Sequence, residues 1–197
     1  MEVKVIEIRC PGCGALVTID TEFCEHCGSS ITISTFNSVR QMDMPSINNC
    51  IRSYRKKLAS DPNDIAANKA IAYCYFKLGM YDEALKFFEK AVVDDFDDSE
   101  VYFYAAICCL KGKKAFLAQR ADINKIEEYL NAATMIEPSG IYYYFWAYIK
   151  YDYYKRKFLN VTPDYAEMLG VANKYKYSSY DVAELFKLIG VENPFEG

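Results

Sequence analysis

Two periodicities divide the chain. Up to residue 33, apolar residues recur in short alternating runs: Val3 and Val5, Ile6 and Ile8, Val17 and Ile19, Ile31 and Ile33. Alternation sends neighbouring side chains to opposite faces, so these runs predict short strands. Residues 34–45 show no period and are expected to be a linker. From Ser46 onward apolar residues return every three or four positions, which predicts helices to the end of the chain. Pro45-Ser46 starts one that stops before Asp61-Pro62, with Asn63 as N-cap of the next. Ser99, Thr162 and Ser178 are further start signals. Pro163 suits a first helical turn, and Asp181 stands three residues after Ser178 as in a capping box. Helices near 163–175 and 179–189 are expected to close the C-terminal end.

The helical part repeats itself. Asn68-x₂-Ile71-Ala72-x₂-Tyr75 forms a first helix and Leu78-Gly79-Met80-Tyr81 a turn. Ala84-x₃-Phe88-x₂-Ala91 forms a second helix. Ala72, Ala84 and Ala91 are small where two helices must approach closely, and Tyr75, Phe88 and Leu78 fill the gaps beside them. The pattern over 65–98 resembles a tetratricopeptide (TPR) repeat, although Asn68 stands where that family usually has Trp and Phe96 where it usually has Pro. Tyr102-x₂-Ala105-Ala106-x₂-Cys109 and Ile126-x₃-Leu130-x₂-Ala133 restate the pattern, stretched by eight residues around Lys113 to Arg120. Tyr144-x₂-Ala147-Tyr148-x₂-Tyr151 gives a third first helix whose partner departs from the pattern. The helix over 46–60 reads as half of a degenerate leading repeat. The resemblance spans residues 46–160. It implies a mainly α, TPR-like α-solenoid of antiparallel helix pairs over residues 46–197, with the last helices as a cap.

Four of the eight cysteines carry the strongest chemical signal. Cys10-Pro-Gly-Cys13-Gly14 and Cys24-Glu-His-Cys27-Gly28 are two knuckles ten residues apart. A two-residue gap lets both sulfurs of a tight turn reach one ion, and the following glycines permit the positive φ such turns need. Two knuckles complete an S₄ set, which favours Zn²⁺. Disulfides and redox dithiols also use Cys-x₂-Cys, but rarely twice within 18 residues. Residues 8–31, with Phe23 before the second knuckle, resemble a zinc ribbon. Residues 1–33 are therefore expected to be a small β zinc ribbon holding one structural zinc through Cys10, Cys13, Cys24 and Cys27. Four protein ligands leave no open coordination position for catalysis. His26, the sole histidine, reads as a solvent-facing knuckle residue.

Charge and cysteine usage narrow the partners. The chain carries a net charge of −4, and residues 1–33 alone carry −3 before the thiolate site adds its own negative charge. Such a surface repels phosphate and argues against nucleic acid. Glu2 and Glu7 break up the N-terminal apolar residues, so no signal-peptide core is present. The longest apolar run, Ile141 to Ile149, is too short to span a bilayer. Cys50, Cys74, Cys108 and Cys109 are scattered through helical patterns, with Cys108 and Cys109 expected as buried thiols, which fits a reducing, cytoplasmic setting. There is no Gly-rich phosphate loop and no Gly-x-Ser-x-Gly, so an enzyme is not expected. Asp94-Asp95-Phe96-Asp97-Asp98 lacks the glycine and terminal Glu of a calcium loop and reads as a solvated turn.

In TPR arrays the first helices line a concave face. That resemblance places Lys69, Tyr73, Phe76 and Lys77 on the face, then Phe103, Ile107 and Leu110, then Tyr142, Phe145, Ile149 and Tyr153. The Lys/Asn/Arg clamp that holds a C-terminal carboxylate in some TPR proteins is absent, since the matching slots hold Lys69 and Tyr73, then Phe103 and Ile107. An apolar groove suits an amphipathic helix or an extended peptide, unless the C-terminal helices fill it. The sequence thus reads as a non-enzymatic adaptor or scaffold that binds another protein or peptide, with no oligomeric state implied. The second reading is a nucleic-acid-associated factor using the ribbon or the basic aromatic segment 142–157, although aromatic helices of that kind are more often core.

Overall fold

A helix whose small residues face its neighbour packs closely, and the computed structural model of the chain is built on that device. It describes residues 7–10, 13–18, 21, 23–28, 31, 33–40, 42–94 and 96–196. The strand positions expected at Val3, Val5, Ile6 and Ile19 lie outside these residues. The chain forms two compact units, Met1–Phe96 and Asp97–Gly197.

In the first unit β1 (Glu7–Arg9) pairs antiparallel with β2 (Leu16–Thr18), with Ile8 opposite Val17. Ile31 and Ile33 are buried but are not in a strand. The Ile33 amide donates to the Tyr54 hydroxyl at 3.4 Å, so its hydrogen bond goes to a helix and not to a third strand. The expected linker also needs correction, because it contains α1 (Phe36–Arg40). Five residues are too few to show a period, but Phe36 and Val39 share a face and are both buried.

Next come α2 (Met44–Ser60), α3 (Ile65–Lys77) and α4 (Tyr81–Asp94). Between Ala67 and Phe76 every residue of α3 except Lys69 is buried, because α1, α2 and α4 all pack on it. Ala72, Ala84, Phe88 and Ala91 are sealed as the repeat pattern requires. Asn68 replaces the usual Trp by bonding, not by filling space. Its Nδ2 donates to the Pro62 and Asp64 carbonyls at 3.2 and 2.9 Å, tying the helix to the turn before it. Gly79, at φ 70°, reverses the chain between α3 and α4.

The second unit contains α5 (Ser99–Cys109), α6 (Arg120–Ile136), α7 (Gly140–Ile149), α8 (Tyr165–Tyr175) and α9 (Ser179–Ile189). α5 pairs with α6 and α7 with α8, while α9 also packs on α7. A π turn (Lys150–Tyr154) prolongs α7. The expected insertion is a loop with one 3₁₀ turn, Ala115–Leu117.

Three expected caps move by one or two residues. Asp64, Asp98 and Asp164 cap α3, α5 and α8, in place of Asn63, Ser99 and Thr162. A carboxylate on the same amides also answers the positive end of the helix dipole. Ser178 caps α9 with Asp181 closing the box.

Candidate metal centre and first-helix faces

The centre is built by two turns of like geometry. The Gly14 amide donates to the Cys10 carbonyl at 2.9 Å, and the Gly28 amide to the Cys24 carbonyl at 2.8 Å. Both glycines have positive φ, 76° and 71°, and a Cβ on either would meet nothing within 4 Å. Backbone conformation, not space, is what requires glycine there. The turns bring Cys10, Cys13, Cys24 and Cys27 together, with all four Sγ atoms within 4.8 Å of one another. Cys10 and Cys27 Sγ lie 3.5 Å apart, and Cys13 and Cys24 Sγ 3.7 Å. A tetrahedron with Zn–S bonds of about 2.3 Å has edges of about 3.8 Å, so the donor set fits zinc.

The electrostatics point the same way. The Ala15 amide draws the Cys13 thiol down. Hydrogen bonds with Cys27, Cys24 and Cys10, together with desolvation, outweigh it and push the thiol up to about 12. The crowding that raises the Cys13 thiol is reversed by a divalent cation at the centre, which takes the sulfurs as thiolates. Cys10 and Cys24 are buried while Cys13 and Cys27 are exposed at the surface. His26 is exposed and outside the cluster. The four cysteines hold one structural Zn²⁺, with every coordination position filled by protein.

The residues placed on the first-helix faces are mostly interior. Tyr73, Phe76, Phe103, Ile107, Leu110, Tyr142, Phe145, Ile149 and Tyr153 are buried, Lys69 is half-buried and Lys77 is exposed. In the first unit α1 covers the face. The Phe36 ring lies 5.1 Å from Phe76 and 6.5 Å from Tyr73, and Lys77 Nζ donates to the Arg40 carbonyl at 2.6 Å. In the second unit Phe103 packs on Tyr142 and Phe145, at 4.6 and 5.8 Å between centroids. The rings of segment 142–157 follow suit. Tyr142, Tyr144, Phe145, Tyr148, Tyr153 and Tyr154 are buried, the half-exposed Tyr143 stacks on Tyr175, and the half-exposed Tyr151 meets Tyr165 edge to face.

Two buried ionic groups escaped sequence reasoning. Lys150, 5% exposed, bonds Glu127 at 2.5 Å. Glu127 also accepts from the Tyr154 hydroxyl at 2.7 Å and from Trp146 Nε1 at 3.3 Å. Burial alone would raise the Glu127 carboxyl, but these donors hold it below the usual carboxylate range. Asp152 accepts from the Phe116 amide at 2.7 Å, from the Tyr148 hydroxyl at 3.3 Å and from Arg156. With Ala115 donating to the Tyr148 hydroxyl, it pins the insertion to the π turn. The available signal was that Asp152 is the sole acid in 142–157. A cleft of about 240 Å³ adjoins it, lined partly by Lys114, Arg156 and Asn193, but its buried carboxylate is already used.

Among known proteins, a family profile described as a zinc-ribbon domain matches residues 6–31, and one described as a tetratricopeptide repeat matches 51–107. Both fall on the features just described. The chain is also similar to a solved structure described as "Crystal structure of MamA", at 18% identity and a TM-score of 0.36, covering 74% of this chain and 98% of that one. No curated protein matches the sequence.

Proposed function

We propose, from the zinc-ribbon and tetratricopeptide matches, that this chain is a non-enzymatic adaptor that binds another protein or peptide in a reducing, cytoplasmic setting. Its contact surface is the first-helix face of its helix pairs, and zinc serves the fold. The observation that carries this reading is α1. A five-residue helix places Phe36 on Tyr73 and Phe76, and Lys77 grips its C-terminal carbonyl. The face therefore suits a short helix with an aromatic anchor and an aliphatic residue three positions on. A partner of that pattern competes with α1 for Tyr73 and Phe76, and acidic flanks would complement Lys69 and Lys77. In the second unit Phe103, Ile107, Leu110, Tyr142, Phe145, Ile149 and Tyr153 shape the corresponding surface from beneath. No helix among the described residues is long and apolar enough to cross a membrane.

Affinity capture with crosslinking tests this. Three chains are compared: the intact one, K69E/K77E, and L16S/F23S on the ribbon surface, where Leu16 and Phe23 are exposed. The reading requires a protein partner that survives the ribbon substitutions and is lost from K69E/K77E. Capture that depends on Leu16 and Phe23 alone, or no partner with any chain, overturns it.

A further inference from the structure

Phe158 is the most exposed of the large apolar side chains among the described residues. Its side chain is 94% exposed, and its backbone sits in the left-handed region at φ 59°, ψ 30°. A bulky L-residue is strained there, whereas glycine or asparagine is not. Stability would favour neither the exposure nor the residue type. Such an outlier points outward, to something that covers it.

Its surroundings say what. Phe158 follows Lys155-Arg156-Lys157 and precedes Leu159, which is 44% exposed. The insertion lies alongside, because the Arg156 guanidinium and Lys157 Nζ sit 4.7 and 5.2 Å from the Phe116 ring. The insertion adds Lys113, Lys114 and Arg120, and Leu117 at 67% exposure. Segments 111–121 and 153–163 hold seven cations and no acidic residue, in a chain of net charge −4. Two of those charges are met locally, Lys111 by Asp122 and Arg156 by Asp152. Of the rest, Lys157 lies over the Tyr153 and Phe116 rings, Arg120 lies over Tyr154, and Lys114 shares a cleft with Glu192. Lys113 and Lys155 are exposed, as are Leu117, Phe158 and Leu159.

We propose that this surface docks on an anionic lipid bilayer. Lys and Arg engage the headgroups while Phe158, with Leu117 and Leu159, enters the headgroup–acyl boundary. Cations alone would serve a phosphate polymer equally well. Two exposed leucines beside the phenylalanine favour lipid, since aliphatic side chains gain little from stacked bases. With one shallow apolar cluster the association is weak and reversible, and it attaches the second unit to a surface without spanning it.

The test is co-sedimentation of the full chain with phosphatidylcholine vesicles, with and without phosphatidylglycerol. Binding is expected only to the anionic vesicles and is weakened by salt. K113Q/K155Q removes one charge from each segment and lowers the partition coefficient on the order of 30-fold. F158G suits the left-handed backbone, so its melting temperature does not fall, while its binding drops at least roughly tenfold. F158W offers a direct readout, a blue shift of its emission on the anionic vesicles. No binding to anionic vesicles at low salt overturns the proposal, as does binding indifferent to F158G or an unshifted F158W. Binding to a single-stranded oligonucleotide but not to vesicles assigns the surface to nucleic acid and overturns it as well.

Discussion

The zinc ribbon and the α7 region solve the same problem in opposite ways. The ribbon has few apolar residues, so one ion joins four side chains and the metal stands in for a core. The α7 region has apolar surface to spare. Its Tyr144 contacts Tyr177, Phe186 and Phe195, and the Asp152 and Glu127 carboxylates each accept from several donors. Stability in the ribbon is concentrated in four replaceable atoms, whereas around α7 it is spread over many contacts. The ribbon's dependence also reaches further than its length suggests. Ile31 and Ile33 are sealed, and Ile33 bonds Tyr54 of α2, so the module is continuous with the helices it precedes.

The sharpest break of that contrast is a single cysteine. Cys10→Ser, or a chelator, should unfold the ribbon outright, since structural zinc supplies about 10–16 kcal/mol in small peptides. Elemental analysis should give one zinc per wild-type chain, and hydrogen exchange should report the loss as far as Tyr54. Protection in α7–α9 should not change. If α2 stays protected in zinc-free protein, the ribbon is an independent module.

In the α7 region, cutting one side of the buried pair should matter more than cutting the other. Glu127→Ala strands Lys150 and should cost about 3 kcal/mol, the low end for such pairs because Glu127 keeps a fifth of its surface exposed. Lys150→Met leaves Glu127 with Tyr154 and Trp146 and should cost less. Equal costs in denaturant melts would reject that asymmetry. The pH dependence has a defined sign. The folded carboxyl titrates below its unfolded value, so its contribution is complete above roughly pH 4.5 and fades as the pH falls through the folded value. The stability gap between wild type and E127Q should be flat at neutral pH and should close only in acid.

Gly140→Ala should come next. An added Cβ would lie 2.2 Å from the Lys176 carbonyl oxygen, a backbone atom that cannot swing aside, so a loss of about 1–3 kcal/mol is expected in the melting curve. The smallest effects belong to Gly14→Ala and Gly28→Ala. Each meets open space and carries only the positive-φ penalty of about 1 kcal/mol, which should appear as weaker zinc retention and not as lost folding.

These residues differ in how visible they were in the sequence. The knuckles were fully legible, because Cys-x₂-Cys-Gly is a local rule that needs only its own turn. The repeat was legible where small residues recur at fixed spacing, as at Ala72, Ala84 and Ala91, and Ser178 with Asp181 was legible as a cap. The neighbouring Asp caps were missed by one or two residues because Asn63, Ser99 and Thr162 offer the same chemistry on paper. α1 was invisible because five residues carry no period. Gly140 was unremarkable until α8 closed on it.

The amino-acid sequence by itself determined the zinc site and the paired helices, since both follow from residue types at short, fixed separations. Only the tertiary structure decided that α1 covers Tyr73 and Phe76, that Glu127 finds Lys150, and that Phe158 is left bare. Each depends on which distant segments exclude water from one another, and spacing along the chain does not record that.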